Sequence, residues 1–307
     1  MDVLVLGSTG FVGKNLTKML ENQGHNVVKL SKTNCDLRDY NSFADVLINQ
    51  EKLDVVFNCA ANVGSVHYVT EKAGEVIHDN SLIAINLYKG ILEYFPKATI
   101  VNPLSNCCYV DGTDIQKEEN WLKGEVHPSV FSFGNFKRFL YYVSKCYNMQ
   151  FGIRSMNLMF SGIYGPGDSI DPNKVHALNG MIIRMLDSVK NSDKEFEIWG
   201  TGKPIREWTY VEDACNIMIK SLDLKDEIIE PVNIAQGKGF SIAETGKCIS
   251  NSIGYSGKLT FNTKYQDGAA VKILGDKNFK GIFNNYEFYN HQQGIDETVK
   301  YYREKLK

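Results

Sequence analysis

Val3-Leu4-Val5-Leu6-Gly7-Ser8-Thr9-Gly10-Phe11-Val12-Gly13 is the stretch that decides the fold. Its apolar opening is too short for a helix and reads as a buried parallel strand. It then breaks into glycines at every third position, each with its own use. Gly7 allows a tight turn, Gly10 lets backbone N–H groups approach a pyrophosphate, and Gly13 lets a helix pack closely on the strand. The N-terminus of that helix faces the anion. An ordinary strand-to-helix loop would also tolerate glycines. The surroundings favour a dinucleotide seat: Val12, Leu16, Met19 and Leu20 follow at helical spacing, and Gly24 precedes a second apolar run at 27–30.

Outward from this unit, short apolar runs alternate with helical patterns as far as about residue 104, the signature of βαβ units. Strands are expected at 27–30, 55–59 and 99–104, and helices at 42–50 and 80–94. The second helix is apolar on more than one face, so the sheet and a second subunit are expected to cover it. A polar loop over 110–129 leads to a helix at 130–149, a strand at 153–160 and the turn Tyr164-Gly165-Pro166-Gly167. Further elements are expected at 176–189 (helix), 196–199 and 206–211 (strands), 214–221 (helix) and 232–235 (strand). The expected fold is α/β: a Rossmann-type doubly wound parallel sheet with a smaller mixed α/β C-terminal substrate lobe. Residues 1–163, with a return segment near 206–240, would form the dinucleotide domain, and 164–307 mainly the interleaved substrate lobe.

The 307 residues carry a net charge of −2, with 43% apolar and 23% charged residues. That balance shows no basic block for nucleic acid and no run long enough to cross a bilayer. The start of the chain does not read as a signal peptide, so a cytoplasmic protein is expected. Seven scattered cysteines lack any Cys-x-x-Cys pair, so neither a metal site nor disulfides are expected.

The end of the second strand selects the dinucleotide, because an acid there binds a ribose hydroxyl and a cation accommodates a 2′-phosphate. The chain reads Lys29-Leu30-Ser31-Lys32-Thr33, without an acid. Ser31 and Lys32 therefore favour NADP(H), the alternative being that Lys32 is a solvated loop lysine. Asp36-Leu37 is a candidate for the adenine edge. Ala60 and Ala61, within Cys59-Ala60-Ala61-Asn62-Val63-Gly64, are small where the cofactor backbone must pass, although close packing alone would also select them.

These motifs, with Asn58-Cys59-Ala60-Ala61, Tyr164-Gly165-Pro166-Gly167-Asp168 and Trp199-Gly200-Thr201-Gly202-Lys203-Pro204-Ile205-Arg206-Glu207-Trp208, resemble the extended short-chain dehydrogenase/reductase superfamily. Within it the chain is most similar to the GDP-L-fucose synthase family, whose members epimerise a GDP-4-keto-6-deoxymannose at C-3 and C-5 and reduce C-4 with NADPH. The more discriminating segments are Ser105-Asn106-Cys107-Cys108-Tyr109, His176 with Arg184 on one helix, and the 199–208 block.

The resemblance implies that Ser105 hydrogen-bonds the 4-keto oxygen, that Cys107 is the base and that His176 is the acid on the opposite face. Epimerisation beside a ketone needs two proton carriers on opposite faces and a donor for the enolate oxygen. By residue type alone, Cys107 could equally be a small core residue and His176 a helix-surface histidine. The resemblance also implies cofactor contacts from Thr9, Phe11, Val12, Phe160, Ile163, His176 and Lys137. Arg206 and Lys272 would hold the diphosphate with Arg184 assisting, and Trp199 would flank the base. It further implies a homodimer built on the helices at 80–94 and 130–149.

The chain departs from the family in the helix that should carry Tyr-x-x-x-Lys. The matching positions read Phe133-Gly134-Asn135-Phe136-Lys137, so the lysine is kept and the phenol is not. Tyr141-Tyr142-Val143-Ser144-Lys145 also fits the pattern two turns later. Phe133 with Lys137 keeps the family spacing to His176, so Tyr141 and Lys145 are read as structural. Proton delivery at C-4 then falls to Tyr109, His176, Ser105 or water. Gly162 is a second departure, standing where the family has a polar residue. The expected function is NADPH-dependent reduction of a GDP-linked 4-keto sugar, with or without epimerisation. A C-3/C-5 epimerase without net hydride transfer and a non-catalytic NADP-binding regulator are the alternatives.

Overall fold

The computed structural model describes residues 1–110, 112, 115–265 and 267–307. Six strands form its central sheet: β1 (Asp2–Leu6), β2 (Asn26–Leu30), β3 (Val55–Asn58), β4 (Thr99–Ser105), β5 (Ser155–Phe160) and β6 (Ile228–Ile234). Their spatial order is β6-β5-β4-β3-β1-β2, and every neighbouring pair is parallel. Side chains alternate along each strand, so Leu4, Leu6, Val56, Ile100 and Met159 enter one core. Val3, Val5, Val55, Phe57, Val101, Met156 and Leu158 enter the other. A parallel sheet needs both faces covered, and the apolar runs supply both sets.

Six helices frame the sheet and the site: α1 (Phe11–Asn22), α2 (Tyr40–Ile48), α3 (Ala73–Tyr94), α4 (Phe131–Phe151), α5 (Ala177–Lys190) and α6 (Val211–Lys220). Helices α2, α3 and α4 cover the first face, and α1 and α6 the second. Helix α4 ends where Gly152 takes a left-handed φ of 70°. Helix α3 starts at Ala73, seven residues before the apolar pattern becomes evident, because its first turns bury only Val76 and Asn80.

A third core joins α5 to the C-terminal elements through Leu178, Ile182, Phe196, Ile198, Ile249 and Ile295. Helices Ile242–Ile253 and His291–Lys305 belong to this region and were not anticipated, nor was strand Val271–Leu274, whose Leu274 enters the first core. Two further expectations need correcting. The strand expected at 206–211 is two short strands, Ile205–Arg206 and Trp208–Tyr210. Glu207 separates them because its buried carboxylate turns inward to accept N–H groups from Gln236, Gly237 and Leu274. Within the segment expected to return near 206–240, only β6 joins the central sheet. In the loop over 110–129, residues 111, 113 and 114 lie outside the described residues, and the remainder includes strand Ile115–Gln116.

The glycines give a direct packing test. A Cβ on Gly13 would lie 2.1 Å from the Gly7 carbonyl oxygen, whereas one on Gly74 in α3 meets nothing within 4 Å. Gly13→Ala is expected to lower stability by about 1–3 kcal/mol through overpacking. Gly74→Ala is expected to raise it by about 0.5–1 kcal/mol. Urea unfolding of both variants checks the pair.

Candidate active site

Strand β1 has β2 on one side and β3 on the other, which makes its C-terminal end the point where the winding of the sheet reverses. Gly7 turns there with φ 72°, and a Cβ on it would sit 2.7 Å from the Cys59 carbonyl oxygen. Gly10 donates its N–H to Gly7 O at 2.9 Å, while Ser8 donates N–H and Oγ–H to Leu30 O at 2.8 and 3.0 Å. Gly10 is also the N-cap of α1, with no side chain to cap it and no acid in the first turn. The result is a backbone cradle at an uncapped helix N-terminus, which suits the diphosphate of a dinucleotide.

At the end of β2, Ser31 is buried and bonded to Thr33 Oγ1 at 2.7 Å and Asn34 Oδ1 at 2.8 Å. Lys32 is exposed and makes no ion pair among the described residues. Asp36 is held by Arg38 at 2.6 and 2.9 Å, and Arg38 also reaches Asp79 at 3.2 Å. The Arg38 hydrogen bond is the main cause that brings the Asp36 carboxyl down to about 2. Sequence reading missed Arg38, which fixes this loop. Leu37 is buried, and Ala60 and Ala61 are half-buried beside the glycine turn. Phe160 is buried in the core below, so its backbone alone could meet a cofactor, while Ile163 is half-buried against the same core.

The chemistry-bearing residues cluster beyond the end of β4. Ser105 closes that strand, and its Oγ accepts the Cys107 N–H at 3.2 Å, capping one 3-10 turn over Asn106–Cys108. Helix α4 seats this turn. A Cβ on Gly134 would come 2.4 Å from Cys107 O. Arg138 donates to the carbonyls of Cys108, Trp121 and Gly124, each at 2.8 Å. Neither Gly134 nor Arg138 was singled out from sequence, because their role lies in contacts with a distant loop.

Lys137 is buried, and its Nζ donates to Pro103 O at 2.8 Å. Burial without an acidic partner brings its pKa down to about 8. The Phe133 and Phe136 rings each lie 5.4 Å from that nitrogen. Tyr141 and Lys145 point elsewhere: both bind Glu230, at 2.8 and 2.6 Å, and Lys145 donates to the Tyr141 oxygen at 3.0 Å. The expectation that Tyr109 could reach a substrate meets a buried side chain whose hydroxyl donates to Asn233 at 2.7 Å. Gly162 pairs with Trp208, whose ring would lie 3.0 Å from an added Cβ, so packing of the indole accounts for that departure.

His176 is the N-cap of α5, with its ring 5.8 Å from that of Phe11. Asp168 Oδ2 lies 3.0 Å from His176 Nδ1. Arg206 and Lys272 face each other directly on parallel strands, and neither has a carboxylate partner among the described residues. Like charges so paired repel unless an anion lies between them. Arg184 is placed differently: its guanidinium stacks 4.2 Å over Trp199 and donates to Glu197 O at 3.1 Å. Trp199 stacks in turn on Tyr265 at 4.9 Å, so Arg184 belongs to an aromatic stack rather than to the Arg206–Lys272 pair.

The model of the NAD dependent epimerase/dehydratase family matches residues 3–235. The chain belongs to this family. The GDP-L-fucose synthase of Dictyostelium discoideum is 28% identical, covering 98% of this chain and 94% of that protein. A GDP-L-fucose synthetase from Naegleria fowleri, solved bound to NADP, shares the fold with a TM-score of 0.90 at 23% identity, covering 99% of this chain and 93% of that one. A GDP-6-OMe-4-keto-L-xylo-heptose reductase from C. jejuni shares it with a TM-score of 0.89 at 21% identity, covering 99% and 98%.

The buried lysine predicts a pH dependence. Its folded pKa of about 8 lies below the ordinary 10.5, so between those values the unfolded chain binds more protons and stability rises with pH. The Lys137 contribution over that range is about 3 kcal/mol. Cofactor-free protein should show this slope in unfolding experiments, and Lys137→Met should lack it.

Proposed function

We propose that this chain is a cytoplasmic, NADPH-dependent reductase acting at C-4 of a GDP-linked 4-keto sugar, with or without epimerisation at C-3 and C-5, in surface-polysaccharide sugar synthesis. The observation that carries this reading is the Arg206–Lys272 pair, two adjacent cations without acid partners. They suit the dianionic bridge of a nucleotide sugar. Trp199, between Arg184 and Tyr265, would flank the guanine. The Dictyostelium synthase and the C. jejuni reductase, both named for GDP-sugar chemistry, support the same substrate class.

Ser105 would donate to the C-4 oxygen, Cys107 would take the acidic proton beside the ketone, and His176 would return one on the opposite face. NADPH, when bound, supplies the hydride. Gly7, Thr9, Gly10, Phe11 and Val12 would carry its diphosphate, Ser31 and Lys32 its 2′-phosphate, and Lys137 its nicotinamide ribose. Phe133 cannot donate a proton and Tyr109 is turned into the core, which leaves Ser105, His176 or a water as the acid for C-4. The same Phe133 favours a second reading, C-3/C-5 epimerisation without net hydride transfer.

The proposal includes a homodimer. Phe131, Tyr142 and Met149 on α4 are exposed, and intervals of eleven and seven residues put them on one face. Ile85 is exposed on α3, which packs beside α4. An apolar face of this kind suits a second copy of the chain, and light scattering at micromolar concentration tests it, a monomer counting against the dimer.

A panel of GDP- and dTDP-linked 4-keto sugars, with NADPH or NADH and cofactor oxidation followed, tests the function. Turnover is expected with a GDP sugar and NADPH. Deuterium uptake from solvent at C-3 or C-5 without cofactor oxidation would favour the epimerase. Phe133→Tyr is expected to raise C-4 reduction, general-acid help being worth roughly 10²–10⁴-fold. Tyr141→Phe should leave it unchanged, and the reverse pattern would move the catalytic motif two turns along α4.

A further inference from the structure

Asp168 follows the turn Gly165-Pro166-Gly167, whose glycines have φ of 142° and 97°. Its side chain is 4% exposed, yet every polar contact it makes serves the start of α5 or the residue beside it. Oδ2 accepts the His176 N–H at 2.9 Å and Asn179 Nδ2–H at 3.0 Å, and it lies 3.0 Å from His176 Nδ1. Oδ1 accepts the Ser169 N–H at 2.8 Å. A helix is ordinarily capped by the side chain of its own N-cap residue. Here the N-cap residue is His176, whose side chain makes no cap bond. A carboxylate eight residues earlier caps the helix, and the imidazole is left for another use.

An ionised carboxylate only accepts hydrogen bonds, so its contact with Nδ1 fixes the proton on that nitrogen. Nε2 is then the working atom, on a side chain 40% exposed and set beside the Phe11 ring at the first turn of α1. The other polar groups packed here are Lys14 of α1, whose Nζ would lie 3.4 Å from a Cβ on Gly167, and Tyr302, whose hydroxyl donates to Asp168 O at 3.2 Å. Burial alone would push the Asp168 carboxyl up, but the bonds and charge of His176, with Asn179, hold it below its ordinary value.

We propose that Asp168 is a positioning residue that fixes the His176 tautomer and steadies its imidazolium, so that Nε2–H serves as the acid of the site. This rests on the role of His176 proposed above and adds the group that makes the role workable. In the step, the Nε2–H bond breaks and a C–H bond forms at the carbanionic carbon, or an O–H bond at the C-4 alkoxide. His176 ends neutral, with Nδ1–H still on Asp168, which stays ionised throughout. Water replaces the proton. With Phe133 in place of a phenol, this histidine carries a larger share of proton delivery.

Nitrogen-15 NMR of histidine-labelled, cofactor-free protein reads the tautomer without any substrate. Wild type is expected to show neutral His176 protonated at Nδ1, and Asp168→Asn to lose that preference. With GDP-4-keto-6-deoxymannose and NADPH, Asp168→Asn should lower kcat by roughly 10²–10⁴-fold, with KM little changed. Asp168→Glu should restore part of both effects. In a His176→Asn background, Asp168→Asn should add little. An unmoved tautomer would overturn the proposal whatever the activity, and would mark Asp168 as a helix cap alone. Should wild type turn over no GDP sugar while the tautomer responds as expected, the substrate reading fails and the positioning stands.

Discussion

The close approach of α1 to the end of β1 is the constraint on which the site depends. A Cβ at Gly13 would fall 2.1 Å from Gly7 O, and one at Gly7 would fall 2.7 Å from Cys59 O. Three backbone segments therefore meet where side chains are missing. That meeting aims the uncapped N–H groups of α1 at the crevice above the sheet, and it sets Phe11 beside His176. The glycine cradle and the contact of Phe11 with His176 thus share a single packing requirement.

The Cys107 turn and Lys137 lie over the first face of the sheet. Asn58, Asn102 and Asn157 link β3, β4 and β5 through side-chain bonds of 3.0 Å each, and Tyr88 of α3 joins them at 2.7 Å. Buried polar groups of this kind fix one strand and helix arrangement where they find partners, which every linking amide here does except Asn58 Oδ1 at the end of the row. Helix α4 then places Lys137 under the end of β4, while Gly134 and Arg138 seat the Cys107 turn. The helix that carries Phe133 thus still positions the lysine and the cysteine turn, which is why the proposed reading is a changed proton donor rather than a lost site.

Much of this was legible in the residues. Apolar runs marked each central strand, since a strand buried on both faces needs little else, and the glycine spacing marked the seat. The elements after residue 235 were not read, because a strand such as Val271–Leu274 is too short for a pattern and exists through its pairing with Ile205–Arg206. Helix Ile242–Ile253 did carry a signal, the capping box of Ser241 and Glu244. Within the candidate site, single residues showed their type but not their partners. Tyr141 and Lys145 matched a catalytic spacing, yet Glu230, 89 and 85 residues away, holds them. Asp168 was visible only as part of a turn motif, and its bond to His176 needed the fold.

The central claim is that an intact dinucleotide seat delivers hydride to a GDP-linked 4-keto sugar despite the missing phenol. Transfer of label from NADPH deuterated at C-4 of the nicotinamide tests it most directly, with the product read by NMR. Deuterium at C-4 of the sugar, abolished by Lys137→Met, is the result expected. Product carrying solvent deuterium at C-3 or C-5 and none from the cofactor would contradict it.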